Sequence, residues 1–509
     1  MNPSGHTIRS LIDINAANNP EKTFVVYPDT AISHTWFEFQ ERAKAINIYL
    51  QNMSVSFQRP VTGLLGNGQA ALELFLGAMY GGFQVLLANP LSGTDILAYV
   101  LEHSETMHLF VDQNHNELAL SAISKMTKKP KLIKFDPSQI KDLTNEGLAG
   151  KSNNMTTPQS KDDALLIYTS GTTGKPKGVL HTHESLIYGG WNTMIAHDLT
   201  LKDRGLCVLP LCHINAQVVS VMGTLVSSSE LVLPEKFKAS KFWYWITKEK
   251  CSWFSVVPTI LSYLLNAEED CQLKSKLKKI RFGRSASSAL PPALHKAFEE
   301  RFGINIVETM GITETAAQML SNPLDKKLHK LGSPGKAFGN QVRVANAEGI
   351  LSHAGDESEI QIYGKNVMRG YLKNLEATKE AFTPDGWYRS GDLGKMDKEG
   401  FFFVTGRLKE IIIKGGENIS PREIDDVLYR HKAVLEAAAF PVTDESYGQT
   451  IAAAIVIRPG EHVTESELRT KCEIALGEYR TPKYFLFLKE LPKGPSGKIQ
   501  RLKLTEQFD

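Results

Sequence analysis

The sequence has 509 residues, of which 42% are hydrophobic and 22% charged. That balance excludes a wholly disordered chain and, at roughly 150 residues per domain, predicts about three structural units. The 58 Lys and Arg against 56 Asp and Glu give a formal net charge of +2, which argues against a general attraction for nucleic acid. The five cysteines (Cys207, Cys212, Cys251, Cys271 and Cys472) are odd in number and scattered, with no C-x-x-C pair. Neither a disulfide framework nor a cysteine zinc site is expected, and a reducing, cytoplasmic compartment fits.

The first ten residues are polar and no signal segment follows. Thr35-Trp-Phe-Glu38 is a capping box, and Phe39, Ala43, Ile46 and Leu50 continue it at helical spacing. The apolar stretch 74–91 contains Gln84, Asn89 and Pro90, which predicts a buried helix running into a buried strand rather than a membrane span. Apolar runs at 61–65, 85–88 and 109–111 alternate with helical patterns and point to α/β layers. A polar stretch at 150–162 reads as a linker. Beyond it, strands are predicted at 164–168 and 206–209, and a helix at 292–302 with Leu294, Phe298 and Phe302 on one face. From about 340 the texture is β-rich, with many glycine turns. Residues 410–414 read as a short strand. Ser420-Pro-Arg-Glu423 and Thr464-Glu-Ser-Glu467 each read as a capped helix start. With strand-like runs at 437–441, 451–457 and 483–488, this last block predicts a small α+β domain. The expected division is 1–407 and 408–509.

Tyr168-Thr-Ser-Gly-Thr-Thr-Gly-Lys-Pro-Lys-Gly178 follows a predicted strand. Its glycines permit close backbone approach to an anion, its hydroxyls and N–H groups donate to phosphate oxygens, and its lysines supply counter-charge. It is not a Walker loop, since Lys175 precedes Pro176. The string resembles the phosphate-binding signature of the adenylate-forming superfamily, which includes acyl-CoA synthetases and peptide-synthetase adenylation domains. The resemblance implies a two-step reaction: a carboxylate attacks the α-phosphate of ATP to give acyl-AMP and pyrophosphate, then a thiol displaces AMP. It also implies ATP, Mg²⁺ and coenzyme A as reactants or cofactors, a large α/β region of layered sheets and helices, and a mobile C-terminal domain. Thr169, Ser170, Gly171, Thr172, Thr173, Gly174 and Lys177 would then hold phosphates.

Five further strings, in order, are similar to the family's motifs. Met310-Gly-Ile-Thr-Glu314 would place Thr313 on phosphate and Glu314 on Mg²⁺, although such a string alone is more often a helix cap. In Tyr388-Arg-Ser-Gly-Asp392 and Gly406-Arg-Leu-Lys-Glu410, Asp392 and Arg407 would reach the ribose and Lys409 would be the hinge. Lys414-Gly-Gly-Glu417 resembles the thiol-channel motif, which implies that Gly415, Gly416 and Glu417 meet coenzyme A. Pro492-Lys-Gly-Pro-Ser-Gly-Lys498 would carry the catalytic lysine, Lys498, between carboxylate and α-phosphate. The resemblance spans nearly the whole chain. It further implies a pocket role for His213, adenine contacts from Ser287, Ser288 and Glu308, and nucleotide contacts from Thr309, Met310 and Gly311. Ala286 and Ala289 depart from the usual Gly and Pro there.

The Gly-Gly-Glu-Asn string favours coenzyme A as acceptor, with a carrier-protein phosphopantetheine as the alternative; a nucleotide-binding protein without turnover is disfavoured because Glu314, Asp392, Arg407, Lys409 and Lys498 are all present. A homodimer stays open. Arg284-Ser-Ala-Ser-Ser288 and Ser321-Asn-Pro resemble oxalate–CoA ligases. That group has polar pocket histidines where this chain has Asn215, Ala316 and Ala317, which points instead to a fatty or aryl acid, with a small oxalate-like dicarboxylate as the alternative. Arg284 stands either for contact with a second carboxylate or for a structural salt bridge.

Overall fold

A computed structural model describes residues 2–139, 157–169, 176–267, 276–493 and 499–508. Residues 150–156 of the predicted linker at 150–162 lie outside these. Two large sheets share one hydrophobic core. In the seven-stranded sheet, Val61–Leu64, Val85–Leu87, His108–Val111 and Lys131–Lys134 run parallel. Asp163–Thr169 extends that set from Val85–Leu87 and then pairs antiparallel with Lys177–Thr182. In the nine-stranded sheet, Glu230–Val232, Arg204–Cys207, Trp253–Val256, Phe282–Ser285 and Ile306–Ile312 run parallel in that spatial order.

Local grammar accounts for several elements. The Thr35 capping box forms in both directions at the head of helix Trp36–Asn52. The apolar stretch divides as expected into helix Gln69–Gly81 and strand Val85–Leu87, both buried. Among the described residues no helix is long and apolar enough to cross a membrane. Helix Pro292–Phe302 buries Phe298 and Phe302 as predicted, and also His295.

A third, antiparallel sheet comprises Gln341–Ala345, Ser358–Tyr363, Tyr388–Met396 and Phe402–Arg407. The fourth is built on Val434–Asp444 and Gly448–Ile457. It has a separate core on each face: Pro421–Tyr429 and Glu465–Leu476 cover one, and Arg501–Phe508 the other. Two expectations are corrected here. The strand predicted at 410–414 begins only at Ile412, after a 3-10 turn over Leu408–Glu410. Ser420 precedes helix Pro421–Tyr429 but makes no capping bond. Its hydroxyl donates instead to the Thr405 carbonyl, fastening this helix to the preceding sheet.

Burial pushes the His181 and His183 pKa values down to about 4 and that of His197 to about 3. Each ring is neutral when folded and titrates near 6.5 when unfolded. The folded state therefore keeps its full stability above pH 6.5. It loses stability as pH falls from there toward 4, by about 1.4 kcal/mol per pH unit for each histidine. Melting temperatures measured from pH 7.5 to 5 should fall steeply below 6.5; a flat profile would refute this.

Candidate active site

In α/β sheets, ligands collect where parallel strands end at their carboxyl termini. Phe282–Ser285 and Ile306–Ile312 are neighbours, with Ser285 opposite Glu308. Past the first lies Ser287, whose backbone is left-handed at φ 71°, and past the second lie Thr313 and Glu314. Ser287 is half-buried and its hydroxyl accepts from Asn215 Nδ2 at 3.2 Å, whereas Ser288 is exposed. Glu308 is buried. Its Oε1 accepts from the Leu290 N–H at 3.2 Å, its Oε2 has no partner, and burial raises its pKa. Thr309 donates to the Ser285 carbonyl at 3.4 Å. Met310 packs half-buried against the core.

Around Glu314 the structure gathers residues from distant parts of the chain. Tyr371 donates to Glu314 Oε1 at 3.1 Å, and the Met368 N–H donates to the Glu314 carbonyl at 2.7 Å. His181 Nε2 donates to the Thr313 carbonyl at 2.7 Å. The Lys177 ammonium lies 4.8 Å from the Tyr371 ring centre, a cation–π contact. Lys177 also faces Thr169 across the hairpin, so the two frame the phosphate-type loop. Ser170, Gly171, Thr172, Thr173 and Gly174 of that loop lie outside the described residues, as does Lys498.

Asp392 and Arg407 are direct cross-strand partners, joined Nε to Oδ1 at 2.6 Å. The charge of Asp392, then that of Glu410 and Glu314, raises the Arg407 pKa against its burial. Asp392 Oδ2 is buried without a partner. Such an atom is costly unless a ligand donor meets it.

Other expected site residues stand apart. Lys409 is exposed on the turn Leu408–Glu410. Gly415 and Gly416, with φ 54° and 87°, form a two-residue hairpin turn that suits residues free to adopt positive φ. Glu417 pairs with Arg480 at 2.5 Å. Among the described residues, no hydrogen bond or ion pair links these positions to the Glu314–Asp392 group. His213 is half-buried, and its N–H donates to the Pro210 carbonyl at 3.0 Å just before the π-helix Asn215–Met222.

Tyr371, Tyr388 and His181 join the site without having been singled out in the sequence. Glu314 and Tyr371 hold the Tyr388 hydroxyl proton on, adding to the effect of burial. Only the pairing of Gly370–Tyr371 with Lys177–Thr182, beside the loop, could have revealed Tyr371. Elsewhere, His295, Glu299 and His329 come within 4.8 Å of one another, but Glu299 is already met by Lys326 at 2.5 Å and by the Ile306 N–H.

Residues 12–372 match the family model described as AMP-binding enzyme, and 423–498 match the AMP-binding enzyme C-terminal domain. A sulfoacetate–CoA ligase of Cupriavidus necator is 42% identical over 498 residues, covering 98% of this chain and 97% of that one. An oxalate–CoA ligase of Arabidopsis thaliana is 37% identical over 350 residues, 68% of each chain. The solved o-succinylbenzoate coenzyme A synthetase of Bacillus subtilis, in complex with AMP, superposes with a TM-score of 0.85 at 27% identity over 98% of both chains.

Proposed function

This chain belongs to the family of AMP-binding enzymes and is an AMP-forming acid–thiol ligase; on that premise we propose how its residues divide the work. The substrate carboxylate attacks the α-phosphorus of ATP and expels pyrophosphate. The coenzyme A thiol, losing its proton, then attacks the acyl carbonyl and AMP leaves. Asp392 carries the reading: one oxygen is fixed by Arg407 and the other is buried and unpartnered, as a ribose diol requires.

Thr169, the loop 170–174 and Lys177 hold phosphates. Ser287, Ser288, Glu308, Thr309, Met310 and Gly311 line the adenine side, and Glu308 accepts from the base. Thr313 meets phosphate. Mg²⁺ fits Glu314, a hard carboxylate with Oε1 oriented by Tyr371, and would supply charge neutralisation for the phosphates. Lys498 bridges the two reacting anions. His213 lies where the acid and thiol meet. The chain divides at 407/408, next to Lys409, and the C-terminal part turns to exchange Lys498 for Gly415, Gly416 and Glu417 at the thiol channel.

Coenzyme A, rather than a carrier protein, is the acceptor in this reading. The acid belongs with those for which the two curated relatives above are named. Sulfoacetate and oxalate each bear two anionic groups, and that class displaces the fatty or aryl acid suggested by Asn215, Ala316 and Ala317.

The test is a carboxylate panel incubated with ATP and Mg²⁺, with and without coenzyme A, following pyrophosphate, AMP and thioester. Acyl-CoA formation is expected. Pyrophosphate release without thioester would overturn the acceptor, and no pyrophosphate with any acid would overturn the reaction. Lys409→Pro should leave pyrophosphate release near the wild-type rate and slow thioester formation by about 10²-fold, the scale for a misplaced reactant. Unchanged turnover would refute the hinge.

A further inference from the structure

Arg284 lies on Phe282–Ser285 in the interior of the nine-stranded sheet and is 1% exposed. Its Nε donates to Gln318 Oε1 at 3.3 Å, and its Nη1 donates to Asn215 Oδ1 and Ser255 Oγ, both at 3.2 Å. All three acceptors are neutral. Among the described residues no carboxylate pairs with it, so the structural salt bridge left open by the sequence does not form. No described hydrogen bond uses Nη2.

Burial alone pushes the Arg284 pKa down to about 9, with no nearby negative charge to restore it. The group is nonetheless cationic at neutral pH. Nearby His197 is held neutral by burial and by Arg284 itself, so it adds no second positive charge. Burying an unpaired ion costs several kcal/mol, a cost that an anion bound there would offset. The location fits. Asn215, which accepts from Arg284, also donates to Ser287 in the loop at the strand's carboxyl end. One side chain therefore separates the guanidinium from that loop.

We propose that Arg284, held by Gln318, Asn215 and Ser255, binds a second anionic group, carboxylate or sulfonate, at the far end of a short acid substrate and so sets the specificity of this chain. The proposal rests on the ligase reading above and gives the acid pocket a fixed cation. The Nη2 N–H groups, which no described hydrogen bond uses, would meet that anion, and the three neutral acceptors fix the guanidinium plane without neutralising it. A fatty or aryl tail would have to cover the same charge with hydrocarbon, leaving it desolvated and unpaired.

Two measurements test it. The first is calorimetric binding to the whole chain in the presence of a non-hydrolysable ATP analogue, comparing sulfoacetate, oxalate and malonate with acetate, propionate and benzoate. A dianion should bind about 10²-fold more tightly than the monoanion of similar length, the scale for losing one member of a buried charge pair. Sulfonate and carboxylate arms show which anion the site prefers. Equal affinity for mono- and dianions overturns the proposal whether or not the chain turns over. The second is kinetic. Arg284→Gln should lower kcat/KM for the preferred dianion by about 10²-fold, spare propionate and leave the KM for ATP unchanged, with Arg284→Lys recovering part of the loss. An equal fall for every acid would mark Arg284 as structural and overturn the proposal. Should Arg284→Gln fail to fold, Gln318→Leu supplies the same comparison. Pyrophosphate release with monoanions only would sink the proposal and keep the ligase; no release with any acid would sink the ligase, while the binding result still decides Arg284.

Discussion

Replacing Lys498 by alanine is expected to slow acyl-adenylate formation by roughly 10²–10³-fold, the cost of removing one electrostatic contact to a developing charge. Thioester formation from supplied acyl-AMP should stay near the wild-type rate. The first step brings a carboxylate against a phosphate, two anions that repel in a partly dehydrated site, and a single ammonium aimed at both lowers that repulsion where it matters most. The second step has no such meeting. The flanks of the lysine are firmly held. Lys493 bridges to Ile499 and pairs with Glu436 at 2.5 Å, while Arg501 pairs with Asp425 at 2.5 Å and donates to the Ala439 carbonyl at 2.8 Å. Loss of the ammonium should therefore act on chemistry and leave the C-terminal fold intact. Separate assays of pyrophosphate release and of acyl-AMP consumption check this; equal loss in both steps would refute the division.

Gly311→Ala is the second large effect. A Cβ at this position would lie 1.9 Å from the Ala317 carbonyl oxygen and 2.3 Å from its carbon, both backbone atoms. No side chain can move aside to relieve that contact. The strand Ile306–Ile312 pairs antiparallel with Ala317–Ser321, and their register shifts between Met310 and Gly311. To admit a methyl group the strands must separate just where Thr313 and Glu314 begin. The expected cost is about 3 kcal/mol of stability, the upper range for overpacking, together with loss of ATP binding in the fraction that folds. Urea unfolding and nucleotide titration measure the two. A wild-type midpoint with unchanged affinity would show that close approach is not what this glycine serves.

Gly311 also separates what is legible in sequence from what is not. Its string marked it as a site residue, but the clash belongs to Ala317 on the neighbouring strand. The pairing of Asp392 with Arg407 was readable as two motifs at a family separation; that they face each other across one ladder, leaving Oδ2 unpartnered, was not. Ser420 had the composition of a helix cap, and a carbonyl of another sheet took its hydroxyl instead. Tyr371 carries no motif, yet it fixes the orientation of Glu314 from 57 residues away.

By itself the sequence determined the order of the motifs, the family, the reaction class, the α/β layering and most helix starts. The layering and helix starts depend on composition, periodicity and neighbours within a few residues, where chain geometry leaves little freedom; the family and reaction class came from the resemblance of the motifs to the adenylate-forming superfamily. Tertiary structure alone decided which charges meet and which stay unmet. Arg284 is the clearest case: its type was visible, but whether a carboxylate reaches it depends on Asn215, Ser255 and Gln318, which lie 69, 29 and 34 residues away in the chain. Whether a buried charge is neutralised follows from packing across strands, and the local pattern of residues carries no record of that.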